Sequence, residues 1–301
     1  MTAVWALLAS LLWGSADFLA GTISRRLPVL TVTFLAQLAG FAGAAVAALV
    51  AGGPYRLGPY LAWGAAAGVI GPIALMAFYR ALATGTMGVV APIAVTGTSV
   101  PVLVGLAAGE RPSALQLVGI VTAIVGVMLA SGPELRAGVP GHARAVALAV
   151  FAAAGFGTLF VLLASGSRTS LTMTLVAQRT VNIVTLGAAL LGAALLRASA
   201  AGGRDGGRDE GLDSDSDRDR ATVRRADLPV LAGIGLGDVG ANGLFGLAAS
   251  TGLLTVAAVL SSLYPVVTAL LARHVHAERL RRVQVVGTVA AVGGALLIAG
   301  G

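Results

Sequence analysis

No cysteine occurs in the 301 residues, which excludes disulfides and thiolate metal sites and leaves the redox compartment unmarked. Lysine is missing too: every one of the 20 basic residues is arginine. Aromatic residues are scarce at 5% and charged residues at 11%, where an ordinary soluble domain carries about a quarter charged residues. So little charge cannot clothe a soluble surface when 57% of the chain is apolar and the mean hydropathy is +0.90. The HExxH, GxSxG and Walker A patterns are absent as well, which leaves no signature of zinc proteolysis, serine hydrolysis or direct nucleotide drive. The chain reads as no enzyme, with no cofactor.

What is present is a succession of apolar runs, each long enough to cross a bilayer core of about 30 Å as a helix. Ten are delimited by turn residues and charges: Ala3–Ile23, Pro28–Val50, Pro59–Tyr79, Gly85–Ala107, Ala114–Ser131, Arg144–Ala164, Ser170–Leu196, Leu228–Ala248, Leu254–Ala272 and Val283–Ala299. The first lacks a basic leader and outruns a signal-peptide core, so it reads as a retained span. A pI of 11.1 would suggest nucleic acid in a soluble protein. Here the arginines lie mostly beside spans, so the partner is the lipid bilayer and not nucleic acid. The expected fold is an all-α integral membrane protein of ten transmembrane helices.

The runs repeat. "LTVTFLAQ" (Leu30–Gln37) returns as "LTMTLVAQ" (Leu171–Gln178) 141 positions later, and the same offset pairs Gly14 with Gly155. Near the end of each half, "GERPSALQLVG" (Gly109–Gly119) answers "AERLRRVQVVG" (Ala277–Gly287). That match pairs Glu110 with Glu278, Arg111 with Arg279, Gln116 with Gln284, Gly119 with Gly287 and Gly126 with Gly294 at an offset of 168. The growth in offset falls in the Arg/Asp-rich stretch after Leu196, whose mixed charge and Gly/Ser content predict a disordered loop over 197–227. Two repeats of five spans, 1–137 and 138–301, must run opposite ways through the membrane. Such inverted repeats characterise secondary transporters, which expose a site between the halves to either side in turn.

With "WGSADF" (Trp13–Phe18), the "GER…Q..G" closing of the first half and "LYPVVTALL…AER…Q..G" (from Leu263) in the second, the chain resembles the EamA branch of the drug/metabolite transporter superfamily. The resemblance covers the chain apart from the Arg/Asp-rich loop. It implies ten spans, alternating access and export of amino acids, metabolites or drugs from the cell, here across a bacterial inner (plasma) membrane. Two positions depart from the pattern: Gly97 stands where the second half has Pro265, and Asp17 where many relatives carry a neutral polar residue.

Charges inside spans carry the chemistry, since each costs about 3 kcal/mol on insertion scales and must face a partner or an opening. Asp17, Arg179 and Asp238 are three such residues. At 1.5 Å per residue, Asp17 lies about 12 Å from the Arg25 end of its span, Asp238 about 14 Å from Pro229 and Arg179 about 15 Å from Thr169, which puts all three in one layer. Trp13 with Asp17, Gln178 with Asn182 and Asp238 with Asn242 are each one turn apart. Gln37 is the repeat partner of Gln178, and Tyr79 and Tyr264 complete the candidate substrate-binding set. Asp17 and Asp238 are the candidate proton-coupling acids. Arg179 is read either as a contact for an anionic group or as one half of a structural pair with Asp238.

Other patterns fail on inspection. "DSDSD" from Asp213 resembles a calcium loop, but Arg218 stands where Gly is required and Arg224 where the bidentate Glu belongs. His274 and His276 near Glu278 lack further ligands, so no metal is expected. The reading is an exporter of a small polar or amphipathic metabolite, coupled to protons or acting as an uncoupled facilitator or exchanger, with a structural or receptor subunit as the rival class. Outside the long loop, Arg25, Arg26, Arg80, Arg136, Arg144, Arg273, Arg279, Arg281 and Arg282 follow odd-numbered spans and only Arg56, Arg111 and Arg168 follow even-numbered ones. Arginine excess marks the cytoplasmic side, which puts both termini outside; the resemblance implies both termini inside.

Overall fold

The computed structural model describes residues 1–24, 26–52, 57–84, 90, 93–130, 142–202, 222–276 and 281–301, without the side chains of 79, 82–84, 142, 193, 196–202, 269, 272–273 and 276. Among the described residues there is no strand. In hydrocarbon no water pairs with backbone N–H and C=O groups, so an open run of this composition satisfies them within a helix. The helices are α1 (Thr2–Ile23), α2 (Val29–Ala51), α3 (Pro59–Thr84), α4 (Ser99–Ala107, entered through a 3-10 turn at Thr96–Thr98), α5 (Ala114–Ala130), α6 (His142–Gly202), α7 (Leu228–Thr251), α8 (Leu254–Ser261), α9 (Tyr264–His276) and α10 (Arg282–Gly300). Pro28 precedes α2, and Gly52 (φ 52°) and Gly109 (φ 91°) follow α2 and α4 in the left-handed region that side chains disfavour.

Six stretches are long and apolar enough to cross a membrane: Thr2–Ile23, Val29–Ala51, Pro59–Phe78, Ala143–Gly192, Arg225–Thr251 and Arg282–Gly300. Three shorter apolar helices, Ile93–Ala107, Ala114–Ala130 and Leu254–Thr268, occupy the places of expected spans four, five and nine. Spans six and seven are one helical run that bends where Ser170 alone adopts extended dihedrals (φ −157°, ψ 106°). The turn expected between them is thus a single residue. The second arm also continues to Gly202 instead of ending at Leu196, because Ala198, Ser199, Ala200 and Ala201 sustain a helix readily. Residues 203–221 of the expected loop, the repeat boundary at 137–138 and Glu278 lie outside the described residues.

The helices of the two halves interleave. In the first half, α3 packs on both arms of α6; in the second, α7 packs on α1 and α2. The last helices, α5 and α10, cross each other. Close approach depends on glycine at a few points. A Cβ on Gly126 would lie 2.2 Å from Ala291 N, and one on Gly287 2.2 Å from Ala130 N. At the crossing of α2 and α7 a Cβ on Gly235 would lie 1.9 Å from Ala36 O. Small residues allow helices to approach in lipid, where no hydrophobic force drives them together. Of the small-residue pairs evident in sequence, Gly64 and Gly68 do meet the second arm of α6 at Thr174 and Gln178, whereas Gly233 faces open space and Gly237 makes only loose contact. Gly233 is exposed, and the face of α7 that meets α2 carries Gly235 instead.

Candidate functional site

At mid-depth, α1, α2, the second arm of α6 and α7 bring their polar residues together. Arg179 Nη1 donates to Asp238 Oδ2 at 2.6 Å and also to Gln37 Oε1. Gln37 in turn accepts from Asn182 Nδ2 at 3.2 Å and donates from Nε2 to Asp238 Oδ2 at 3.4 Å. The other carboxylate oxygen of Asp238 accepts from Trp13 Nε1 at 3.0 Å and from Asn242 Nδ2 at 3.3 Å. Asp238 therefore joins four helices through one carboxylate.

Access differs sharply across this layer. The Arg179 side chain is 1% exposed and that of Asp238 29%. Gln178, Asn182 and Asn242 are buried. Asp17 is exposed, although it does not face outward: it lies nine residues, half a turn at 100° per residue, from the outward-facing Leu8. It shares a face of α1 with the buried Ala6 and Ser10, so its exposure marks an opening on the inner side of the helix. One turn further along α1, Gly21 is exposed as well, and a Cβ there would meet nothing within 4 Å. The opening faces the end of the bundle where α1 finishes at Ile23, the end that also carries Arg26, Arg224, Arg225, Arg281 and Arg282. Asp17 is near enough to Asp238 and Tyr264 to act on them electrostatically.

Beside the carboxylates is an aromatic cluster. The Trp13 ring lies 5.5 Å from Phe160, 6.1 Å from Phe245 and 6.3 Å from Tyr264, the last edge-on, and Phe160 and Phe245 are 4.8 Å apart. Phe160 and Phe245 are buried, while Trp13 and Tyr264 are partly accessible. The layer is not saturated: Gln178 Oε1, Arg179 Nε and Nη2, and Asn182 Oδ1 are buried with no hydrogen-bond partner. Such groups are costly in a low-dielectric interior. Among the described residues no group of His, Cys, Asp and Glu could hold a metal ion.

Of the sequence-derived set, Trp13, Gln37, Arg179, Asn182, Asp238 and Asn242 form one hydrogen-bonded cluster, with Asp17 and Tyr264 beside it. Gln178 is buried on the side of its helix that meets α3 and makes no hydrogen bond to the cluster. Tyr79 lies on α3, with its side chain outside the described residues. Sequence reasoning missed Phe245, although it shares a face with Asp238 and Asn242 at the i, i+4, i+7 spacing. Phe160 had no such signal.

Sequence reasoning also left Glu110 out of the candidate set. Its carboxylate accepts from Leu254 N at 2.6 Å, Thr255 N at 2.9 Å and Thr255 Oγ1 at 2.5 Å, so a residue of the first half caps α8 of the second. Every residue of α8 is buried. At the same end Thr2 Oγ1 would lie 2.1 Å from a Cβ on Gly252. Among the described residues, these contacts bring the two halves together at the end of the bundle opposite Asp17.

Residues 1–132 match the model of the EamA-like transporter family. No curated protein matches the chain. A solved structure described only as a crystal structure of a protein superposes on 98% of this chain, and on 95% of its own, with a TM-score of 0.74 at 19% identity. At that identity the likeness establishes the fold alone.

Proposed function

We propose that this integral membrane protein, whose residues 1–132 match the EamA-like transporter family, is a secondary transporter that exports a small polar or amphipathic metabolite by alternating access. The observation that carries the reading is the unsaturated polar layer at mid-depth, built by helices of both halves, with Asp17 exposed on the side toward the end where α1 finishes. The open end is the arginine-rich end, which the positive-inside rule makes cytoplasmic, so cargo would enter from the cytoplasm.

The ten-span inverted repeat belongs to the same proposal. The bent α6 supplies two crossings, and the three shorter apolar helices supply the rest. Supporting it, contacts are exchanged between equivalent positions: Gly119 meets Gly294, while Gly287, its sequence counterpart, meets Gly126, the counterpart of Gly294. A two-fold axis between α5 and α10 requires this reciprocity. In this reading Glu110 and the Thr2–Gly252 contact hold the far gate shut. Arg179, sealed from solvent, positions Asp238, and Asp17 and Asp238 are the acids available for proton coupling.

Purified protein in liposomes, loaded with amino acids, nucleosides and cationic drugs and given an imposed pH gradient, tests the function. Flux that Asp238→Asn abolishes supports it. No flux of any class, with the protein folded, would overturn it; flux indifferent to the gradient would favour the uncoupled facilitator.

A further inference from the structure

The charge exposed in the layer points to a class of cargo. Arg179 and Asp238 neutralise each other at 2.6 Å, and Arg179 is sealed from solvent. Among the described residues the remaining charge of the layer is the carboxylate of Asp17, which is exposed and makes no hydrogen bond. Past the arginines at that end, a molecule entering the layer meets Asp17 and the partly exposed Asp238, while the positive group of the layer, Arg179, is sealed behind them. An anion is repelled there, and a cation is drawn in.

The walls of the opening suit the same cargo. Trp13 is one turn from Asp17 and is fixed in orientation by its Nε1–H bond to Asp238, with Tyr264 edge-on to it at 6.3 Å. A preorganised indole face beside a carboxylate attracts ammonium groups, and Phe160 and Phe245 behind it extend an apolar floor. The buried atoms without partners on Gln178, Arg179 and Asn182 show that the layer is not a completed scaffold. Unsaturation alone does not choose between cargo charges; the exposed carboxylate does.

We infer that the opening at Asp17 binds the positively charged head of an amphipathic organic cation, a protonated or quaternary amine, with its apolar part against Trp13 and Tyr264. This rests on the transporter reading and names the cargo of that same site.

A matched series tests it by equilibrium binding to the full-length protein in detergent: phenethylammonium, its N-trimethyl form, neutral 2-phenylethanol and anionic 3-phenylpropionate. Both cations should bind, the alcohol about tenfold more weakly and the anion weakest of all. The quaternary form has no N–H, so its binding isolates charge and aromatic contact from hydrogen bonding. Asp17→Asn should weaken both cations about tenfold while sparing the alcohol, and Asp17→Glu should retain most of the affinity. Equal binding of cation and anion, tighter binding of the anion, or Asp17→Asn without effect on the cations would overturn the inference. Should Asp17→Asn fail to fold, the wild-type series decides. Flux in liposomes is scored separately: cation binding without flux of any compound would sink the transporter reading and leave the site, whereas flux of other cargo without cation binding would do the reverse.

Discussion

The crossing of α5 with α10 and the meeting of α1, α2, the second arm of α6 and α7 are both junctions between the halves, yet they are built from opposite materials. The crossing uses glycine and alanine in nearly direct backbone contact, and its key residues, Gly119 with Gly287 and Gly126 with Gly294, are ones the sequence writes twice. The polar junction uses residues written once. At the offset of 141, Arg179 corresponds to Leu38 and Asp17 to Thr158, while Ile70 corresponds to Asp238 at the offset of 168. Leu38 is 40% exposed, whereas Arg179 is wholly buried. The proposed function then reads repeated residues as scaffold and unrepeated ones as chemistry. Gln37 and Gln178 are the exception, and even they have diverged: Gln37 Oε1 accepts two hydrogen bonds and Gln178 Oε1 accepts none.

The comparison makes the unrepeated junction the more fragile to loss of a single charge. Asp238→Ala would strand the sealed guanidinium of Arg179 without its counter-ion, at an expected cost of about 3 to 5 kcal/mol. Arg179→Ala should cost less, because Asp238 retains partial access to water. The double variant should recover part of the loss. Thermal unfolding in detergent of the two single variants and the double one reads all three. Strictly additive losses would mean that the two residues do not act as a pair.

The repeated junction should fail through volume. Gly287→Ala or Gly126→Ala inserts a methyl group 2.2 Å from backbone nitrogen, where no flexible side chain can move aside, and overpacking of this kind costs about 1 to 3 kcal/mol. Gly293→Ala, on the same helix with nothing within 4 Å, is the control and should be neutral to slightly stabilising. If Gly293→Ala were as damaging as Gly287→Ala, the crossing would not be what holds these helices together.

Composition made the helical membrane class legible, because only helices suit runs this apolar. The "GER"/"AER" match made legible the glycine pairs that lie at the crossing of α5 and α10. Arg179, Asp238, Gln37 and Trp13 were legible as one polar cluster because a charge in a span must find partners, and depth along a helix follows from its rise. What remained hidden depends on which faces meet. Ser170 shows nothing in sequence that marks a one-residue bend in place of a loop, and Gly233 looks as suited to a crossing as Gly235 until the neighbouring helix is in place. Phe160 is one apolar letter among many. Glu110 was visible as a repeated letter, but its role depends on the N-terminus of α8, which is 144 residues away in sequence.

Glu110 sharpens the comparison because it is repeated, as Glu278, and yet polar. If repeated residues are scaffold, Glu110→Gln should weaken the cap of α8, which loses one charge-assisted acceptor, by about 1 to 2 kcal/mol. It should leave the affinity for cargo measured in detergent unchanged. Gly105 leaves room for this carboxylate, since a Cβ there would lie 2.5 Å from Glu110 Oε2, so Gly105→Ala should reproduce the Glu110→Gln loss in melting temperature. A variant that stayed fully stable but lost cargo affinity would move Glu110 from scaffold to site and break the rule.

The smallest effect is expected at a second ion pair among the described residues, Arg26 with Asp227. Arg26 Nη2 donates to Asp227 Oδ1 at the open end, and Asp227 Oδ2 accepts from Arg224 N at 2.7 Å, but here the side chains are 39% and 11% exposed. When Asp227 is removed, Arg26 can turn to water, a recourse that Arg179 lacks. Asp227→Asn preserves an acceptor for Arg224 N–H and removes only the charge, so it should lower the melting temperature only slightly, and less as salt is raised. Melting Asp227→Asn beside Asp238→Asn at low and high salt compares two arginine–aspartate pairs in one chain that differ mainly in access to water. Equal losses, or a loss at Asp227 that salt does not diminish, would show that burial is not what makes the Arg179–Asp238 pair critical.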